Sequence, residues 1–274
     1  MSETLRVAAV QMSSQDDVAK NLGRACDWIA RAAGAGAQLV LLPENFAYLG
    51  PEEGKRSAAE PVGDAPEGPI LQALADAARR AKVHVIAGGM PERAPDAARP
   101  YNACVVVAPD GKITGKYRKV HLFDVEVGDG QRYCESASTT PGDTPASVTI
   151  AGFSVGLSVC YDLRFPELYR KLTDAGADIL VVPAAFTLAT GKDHWHVLLR
   201  ARAIESQTYV VAAAQWGTHP RGRRTYGKSL IADPWGDVIA QCPEGEGIAV
   251  ADVDRAYLAQ VRANLPALRH RRLS

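Results

Sequence analysis

The chain has 274 residues, 47% of them hydrophobic and 23% charged, which is enough for a sizeable core and excludes a disordered or low-complexity protein. Lys plus Arg and Asp plus Glu both number 31, so no net field draws the chain toward nucleic acid or an anionic membrane, and partners must be recognised locally. The cysteines (Cys26, Cys104, Cys134, Cys160, Cys242) are odd in number and widely spaced, which argues against a disulfide framework or a thiolate zinc site and for a reducing compartment.

The opening MSETLRVAAVQMSS has too short an apolar stretch for a signal peptide, and no apolar run approaches the roughly 18 residues of a membrane span, so a cytoplasmic location is expected. Residues 5–11 read as a first strand. Val18, Leu22, Ala25, Ile29 and Ala33 then recur at helical spacing as far as Gly34 and Gly36. The apolar run 39–42 reads as a buried strand stopped by Pro43, which leaves Glu44 just past a strand's C-terminal end, a favoured place for active-site groups in parallel sheets.

A Pro/Gly-rich connection spans 50–69, followed by a helix through Leu71, Leu74 and Ala78 and by strands at 83–87 and 103–107. Asp110-Gly111 turns the last of these into a hairpin with 113–117. The second half repeats the order, with a strand at 153–159, a helix around 166–175, an apolar run at 179–182 and a long helix at about 194–206. Strands at 209–214, 229–232 and 238–241 follow, and LIADPWGDVIA echoes the earlier VVVAPDGKITG. Two similar halves predict two sheets packed face to face with helices outside, in a single domain over 1–274.

Cys160 ends the run GFSVGLSVC and is followed at once by YDLRFPELYR, a turn opening a helix. A nucleophile at such an elbow is exposed, while the backbone N–H groups after it face a developing oxyanion. A free thiol is only a few per cent ionised at neutral pH, so a catalytic cysteine needs a base or a cation nearby. None of the six histidines stands in a recognisable cysteine-protease signature. Glu44 in LVLLPENF and Lys119 in GKYRKVHLFD, just beyond the strand of the Asp110-Gly111 hairpin, are the alternative base and cation.

These three segments, PEN at Glu44, YRKVHLFD at Lys119 and SVCYDLRFPELYR at Cys160, resemble the signature motifs of the nitrilase superfamily of carbon–nitrogen hydrolases, in the family's order. The resemblance extends from RVAAVQM to LPALRHRR. It implies a four-layer α-β-β-α sandwich, assembled as a homodimer or higher homo-oligomer, with a Glu44–Lys119–Cys160 catalytic set and neither cofactor nor metal. It also implies that Glu135 in YCESASTTPGD is a supporting glutamate, and it gives the Tyr161 backbone N–H the role of oxyanion donor.

The segments HWHVLLRARAIESQTYVVAAAQWG, SLIADPWGDVIAQC and CESAS are similar to the deaminated glutathione amidase branch, with ω-amidases of α-ketoglutaramate as near relatives. The implied substrate is a small, linear, carboxylate-bearing amide. The loop THPRGRRTYG, with Arg221, Arg223 and Arg224, offers cations for that carboxylate, Arg223 among them, and Asn45, Phe186 and Trp195 are expected pocket walls. The rival readings are a nitrilase acting on a small nitrile, a non-catalytic binding module on the same fold, and a metallohydrolase using His194 and His196. The last is disfavoured because residues two apart on a helix point to different faces.

Overall fold

The computed structural model describes residues 3–63, 67–126 and 132–273. The first half runs β1 (Thr4–Gln11), α1 (Val18–Gly34), β2 (Leu39–Leu41), α2 (Glu52–Ser57), α3 (Pro69–Ala81), β3 (His84–Glu92), β4 (Tyr101–Val107) and β5 (Ile113–Arg118). A small hairpin, β6 (Asp124–Glu126) and β7 (Arg132–Cys134), leads into the second half. There β8 (Ala146–Ile150), β9 (Phe153–Leu157), α4 (Pro166–Asp174), β10 (Ile179–Val181), α5 (Leu188–Ser206) and β11 (Tyr209–Ala212) follow in order. A second small hairpin comprises β12 (Trp216–Thr218) and β13 (Arg224–Tyr226). The chain continues through β14 (Leu230–Ala232), β15 (Val238–Gln241), β16 (Gly247–Asp254) and α6 (Arg255–Asn264).

The strands form two six-stranded sheets, ordered β16-β1-β2-β3-β4-β5 and β15-β14-β11-β10-β9-β8. In each, three parallel strands lie at the centre (β1, β2, β3 and β9, β10, β11), and the flanking strands are antiparallel. Side-chain alternation sets the layers. Leu5, Val7, Ala9, Leu39, Leu41 and Ile86 pack with residues of the second sheet, whereas Ala8, Val10, Val40, Leu42 and Val85 pack with Ala25, Ile29, Leu71 and Leu74 of α1 and α3. Leu168, Leu172, Leu199 and Ala203 of α4 and α5 cover the other face of the second sheet, which completes an α-β-β-α sandwich.

Several elements differ from their sequence expectation. The 50–69 connection contains α2, and its Glu60 carboxylate accepts the Ile70 and Leu71 N–H groups at 2.6 and 3.0 Å, capping α3 where Gly68 has no side chain to do so. The long helix expected from about residue 194 starts at Leu188 behind an N-cap Thr187. Its Gly191 is a point of close approach, since a Cβ there would stand 2.3 Å from Tyr226. The edge strands β8 and β16 lack a full run of apolar alternation and were not expected. β16 nevertheless pairs with β1 over eight residues. Among the described residues no helix is long and apolar enough to cross a membrane.

Candidate active site

Glu44 emerges where β2 ends, after Leu42 has made the last ladder bond to Ile86 O at 2.9 Å and Pro43 has no N–H to continue. The neighbouring β3 accommodates it through a double glycine. A Cβ on Gly89 (φ +78°) would lie 2.9 Å from Glu44 Cγ and 2.7 Å from Asn102 Oδ1, and one on Gly88 would stand 2.1 Å from Leu42 O. The register of β3 against β4 breaks at this point, between Ala87 and Met90. The glutamate thus lies directly on the backbone of the next strand.

Lys119 follows β5, with its N–H on Asn102 O at 2.9 Å, and its side chain is 2% exposed. The ammonium donates to Glu44 Oε1 at 3.0 Å and to Glu135 Oε2 at 2.8 Å. Glu135, at the start of a short 3-10 turn, also accepts the Phe123 N–H at 2.8 Å. Asn102 Nδ2 bridges the two carboxylates, at 2.9 Å from Glu44 Oε1 and 3.3 Å from Glu135 Oε1. From the second sheet, the Ala185 N–H donates to Glu44 Oε2 at 3.0 Å, and Gln215 Nε2 holds the Glu44 carbonyl at 3.0 Å.

Cys160 sits at the elbow between β9 and a 3-10 helix at Cys160–Arg164, in a left-handed backbone conformation (φ +52°) that residues with a side chain rarely adopt. Two features hold it there. Its N–H donates to Pro183 O at 2.8 Å, and the buried Asp162 carboxylate accepts from Val159 N, Tyr117 Oη, His121 N and His121 Nδ1 at 2.7–3.0 Å. Asp162 therefore ties the elbow to the segment that carries Lys119. The Cys160 thiol faces the Glu44 carboxylate, which raises its pKa, and the Ala185 N–H, which lowers it. Tyr161 N–H lies in the first turn of the 3-10 helix, where backbone donors have no intrahelical partner.

The electrostatics follow from burial and these partners. Burial alone would depress the Lys119 ammonium, but Glu135 and Glu44 outweigh it and raise its pKa, so the side chain is a permanent cation. Burial works against ionised Glu135 as well, yet Lys119 and Lys55 lower its pKa to about 2. Cys160 is pushed well up, by burial first and then by Glu44, with Lys119 opposing. The sequence reading had the lysine favouring the thiolate. Its field does so, but in the resting site it is outweighed, and the sulfur rests as a thiol with Glu44 in place to take the proton.

A pocket of about 290 Å³ opens over Cys160, lined by Glu44, Lys119 and Glu135 and, at its sides, by Asn45, Phe186 and Arg223 among others. Trp195 requires correction as a pocket wall. It is fully buried behind Phe186, at 5.0 Å between ring centroids, and its indole N–H donates to Lys228 O at 2.8 Å. The α5 face that carries it points into the sheet. Of the basic loop, Arg223 lines the pocket, whereas Arg221 is exposed and 3.9 Å from Glu53 and Arg224 is exposed on β13. His194 and His196 diverge, toward Arg164 at 3.3 Å and Gln241 at 2.7 Å. Arg164 and Lys55 also line the pocket without having been singled out.

Asn102, Gln215 and Asp162 escaped the sequence reading. Asn102 in YNACVVV and Gln215 in AAAQWG are polar residues in or beside apolar strand runs, a pattern that demands a buried partner and was available as a signal.

Residues 6–263 match the carbon–nitrogen hydrolase family. The chain is 47% identical over 267 residues to the deaminated glutathione amidase of Synechocystis sp., covering 96% of this chain and 97% of that one. It is 36% identical over 274 residues to human omega-amidase NIT2, covering 98% and 95%. The crystal structure of Saccharomyces cerevisiae Nit3, a member of branch 10 of the nitrilase superfamily, superposes with a TM-score of 0.86 at 32% identity, covering 97% of this chain and 96% of the other.

Proposed function

Because this chain belongs to the carbon–nitrogen hydrolase family, we propose that it hydrolyses deaminated glutathione, or a similar carboxylate-bearing 2-oxoglutaryl amide, through a thioester on Cys160. The observation that carries this reading is the meeting of Glu44, Lys119 and Cys160 in one pocket, with the Lys119 ammonium 3.0 Å from the Glu44 carboxylate.

Glu44 accepts the thiol proton as Cys160 Sγ attacks the amide carbonyl, so no free thiolate need persist. The carbonyl oxygen becomes an oxyanion between Lys119 Nζ and the Tyr161 N–H, donors already in place before charge develops. Glu44 gives its proton to the amide nitrogen, the C–N bond breaks and the amine leaves. It then deprotonates a water that attacks the thioester, and the C–S bond breaks to give a carboxylate. The proton held by Glu44 returns to the sulfur. Glu135 and Asn102 support the reaction by fixing Lys119 and Glu44. Arg164, Arg223 and Lys55 make the pocket suited to an anionic substrate.

The reading extends to a single catalytic domain in the reducing cytoplasm, where Cys160 stays a thiol, and to a homo-oligomer. The last is supported by exposed Val197 and Ile204 on α5 beside exposed Trp235, Val238 and Ile239 of the β14–β15 hairpin. An ω-amidase acting on α-ketoglutaramate is the alternative favoured by resemblance to NIT2. The test is amine or ammonia release from deaminated glutathione, α-ketoglutaramate, simple aliphatic amides and a nitrile, with Cys160→Ser as control. Preference for deaminated glutathione, abolished in the control, is expected. Preference for the nitrile would make the chain a nitrilase, and no Cys160-dependent turnover would make it a binding module.

A further inference from the structure

One buried carboxylate holds the two segments from which the oxyanion donors project. Asp162 is fully buried, and its oxygens divide four bonds between them. Oδ2 accepts the Val159 N–H at 2.9 Å and the Tyr117 hydroxyl at 2.8 Å, while Oδ1 accepts the His121 N–H at 3.0 Å and the His121 Nδ1–H at 2.7 Å. Burial and the carboxylate itself push the Tyr117 hydroxyl far above its ordinary pKa, so it stays a donor toward Asp162. Its oxygen in turn accepts the Val120 N–H at 3.2 Å. Four donors fill the lone pairs of an ionised carboxylate, which makes the network stiff.

The partners sort by position in the chain. Val159 precedes Cys160 and Asp162 follows Tyr161, so the carboxylate spans the elbow that carries the thiol and the Tyr161 N–H. Tyr117, Val120 and His121 lie on both sides of Lys119. The His121 ring also stacks on Phe165 at the end of the 3-10 helix, with centroids 3.7 Å apart and planes within 6°. Lys119 follows β5 and Tyr161 follows β9, and these strands belong to different sheets, so no ladder bond between them fixes the distance from one donor to the other. The Asp162 bonds do. The Cys160 backbone keeps a second anchor, its N–H on Pro183 O at 2.8 Å, which holds the thiol beside Glu44 when the carboxylate is changed.

Resting on the amidase reading above, we infer that Asp162 is a positioning residue for the oxyanion hole, which sets the spacing between the Lys119 ammonium and the Tyr161 N–H. Substrate in its ground state does not call on that spacing. The transition state does, because both donors must then close on one oxygen. Loss of the carboxylate therefore weakens binding of the tetrahedral species while leaving ground-state binding and the thiol's own reactivity in place.

The test compares wild type, Tyr117→Phe and Asp162→Asn. Tyr117→Phe deletes one bond to the carboxylate, and Asp162→Asn keeps the shape but turns one acceptor into a donor that meets donors. Three quantities are measured: kcat and KM for the amide that wild type turns over, the inhibition constant of an aldehyde with the same acyl chain, and the rate of Cys160 alkylation by iodoacetate, followed at that residue by mass spectrometry. The aldehyde carbon bonds Sγ and its oxygen takes the oxyanion's place, whereas alkylation passes through no oxyanion. We expect kcat to fall roughly tenfold in Tyr117→Phe and about a hundredfold in Asp162→Asn, with KM within about threefold. Aldehyde affinity should fall in the same proportion as kcat, and alkylation should stay within about threefold of wild type. Should Asp162→Asn fail to fold, Tyr117→Phe decides alone. Wild-type kinetics in Tyr117→Phe, an aldehyde affinity that holds where kcat falls, or alkylation that falls along with kcat overturns the inference while leaving the amidase reading intact. A wild type without Cys160-dependent turnover overturns both.

Discussion

The two sheets share one topology but divide the chemistry unequally. Residues 39–46 (LVLLPENF) and 179–186 (ILVVPAAF) occupy corresponding places, each ending the middle strand of a parallel trio, and the registers Val7–Leu39–His84 and Val155–Ile179–Tyr209 correspond. Leu42 N bonds Ile86 O, and Val182 N bonds Val211 O in the same way, both at 2.9 Å. Past the proline the halves part. The first presents Glu44 and Asn45, and the Asn45 N–H is used by its own sheet on Gly89 O. The second presents Ala184 and Ala185, and the Ala185 N–H crosses to the Glu44 carboxylate. One half thus contributes the carboxylate and the cation, whereas the other contributes the thiol and a backbone donor. Neither sheet lines the pocket alone, and the candidate site forms where the two strand ends face each other.

The largest effect is expected from removing the proposed nucleophile, which the second sheet supplies. Cys160→Ala is expected to lower amide turnover on the order of 10⁴-fold or more with folding retained, since the thiol makes no bond that the core requires. Turnover within tenfold of wild type would show that the nucleophile lies elsewhere.

Next is the cation of the first sheet. Lys119→Met leaves Glu44 and Glu135 buried without this countercharge, which costs about 3 kcal/mol and removes one of the two proposed oxyanion donors. Adding Glu135→Gln should recover part of the unfolding free energy and none of the activity, and denaturant melts paired with turnover would separate the two roles. Alkylation of Cys160 should slow in Lys119→Met, because the charge that lowers the thiol pKa is gone while burial and Glu44 still raise it. An unchanged alkylation rate would remove Lys119 from the control of the thiol.

Glu44, Lys119 and Cys160 were legible because each lies immediately after a strand, and strand ends can be read from apolar runs and prolines. Asn102 was not, because its partners lie 58 and 33 residues away and only the neighbouring of β3, β4 and β5 brings them together. Trp195 was misplaced for a related reason. On a helix whose apolar residues form no single stripe, sequence does not tell the face toward the pocket from the face toward the sheet, and the Lys228 carbonyl fixes the indole on the latter. The parallel trios were readable as continuous buried runs, whereas β16, mostly half-buried and without a continuous apolar run, pairs with β1 over its whole length and takes its conformation from that pairing.

Backbone close approach also distinguishes the halves. The first sheet has Gly88-Gly89 where the second has Ala213-Ala214, because only in the first must a strand admit the carboxylate stem of Glu44. Gly89→Ala is expected to cost about 1–3 kcal/mol and to lower kcat/KM roughly tenfold to a hundredfold by displacing Glu44. Ala214→Gly, the mirror change, should cost under about 1 kcal/mol with activity largely kept. Equal effects at the two positions would mean that the glycine pair serves the sheet and not the glutamate.

The last effect falls on stability alone and not on turnover, at a histidine that bridges the halves. His219 Nδ1–H donates to Ser14 O and Nε2 pairs with Thr225 Oγ1, both at 2.7 Å, partners that satisfy the neutral ring with the Thr225 hydroxyl as donor. Burial lowers its pKa from 6.5 to about 4. Between these values the unfolded chain binds a proton that the folded one refuses, so stability from this group is complete above pH 6.5 and declines as the pH falls toward 4. The loss amounts to about 3 kcal/mol across that window. His219→Asn keeps a donor for Ser14 but cannot titrate, so it should be less stable than wild type at pH 7.5 and lose less on acidification. Urea midpoints of both proteins at pH 7.5 and 4.5 would measure this, and parallel declines would assign the acid sensitivity to other groups.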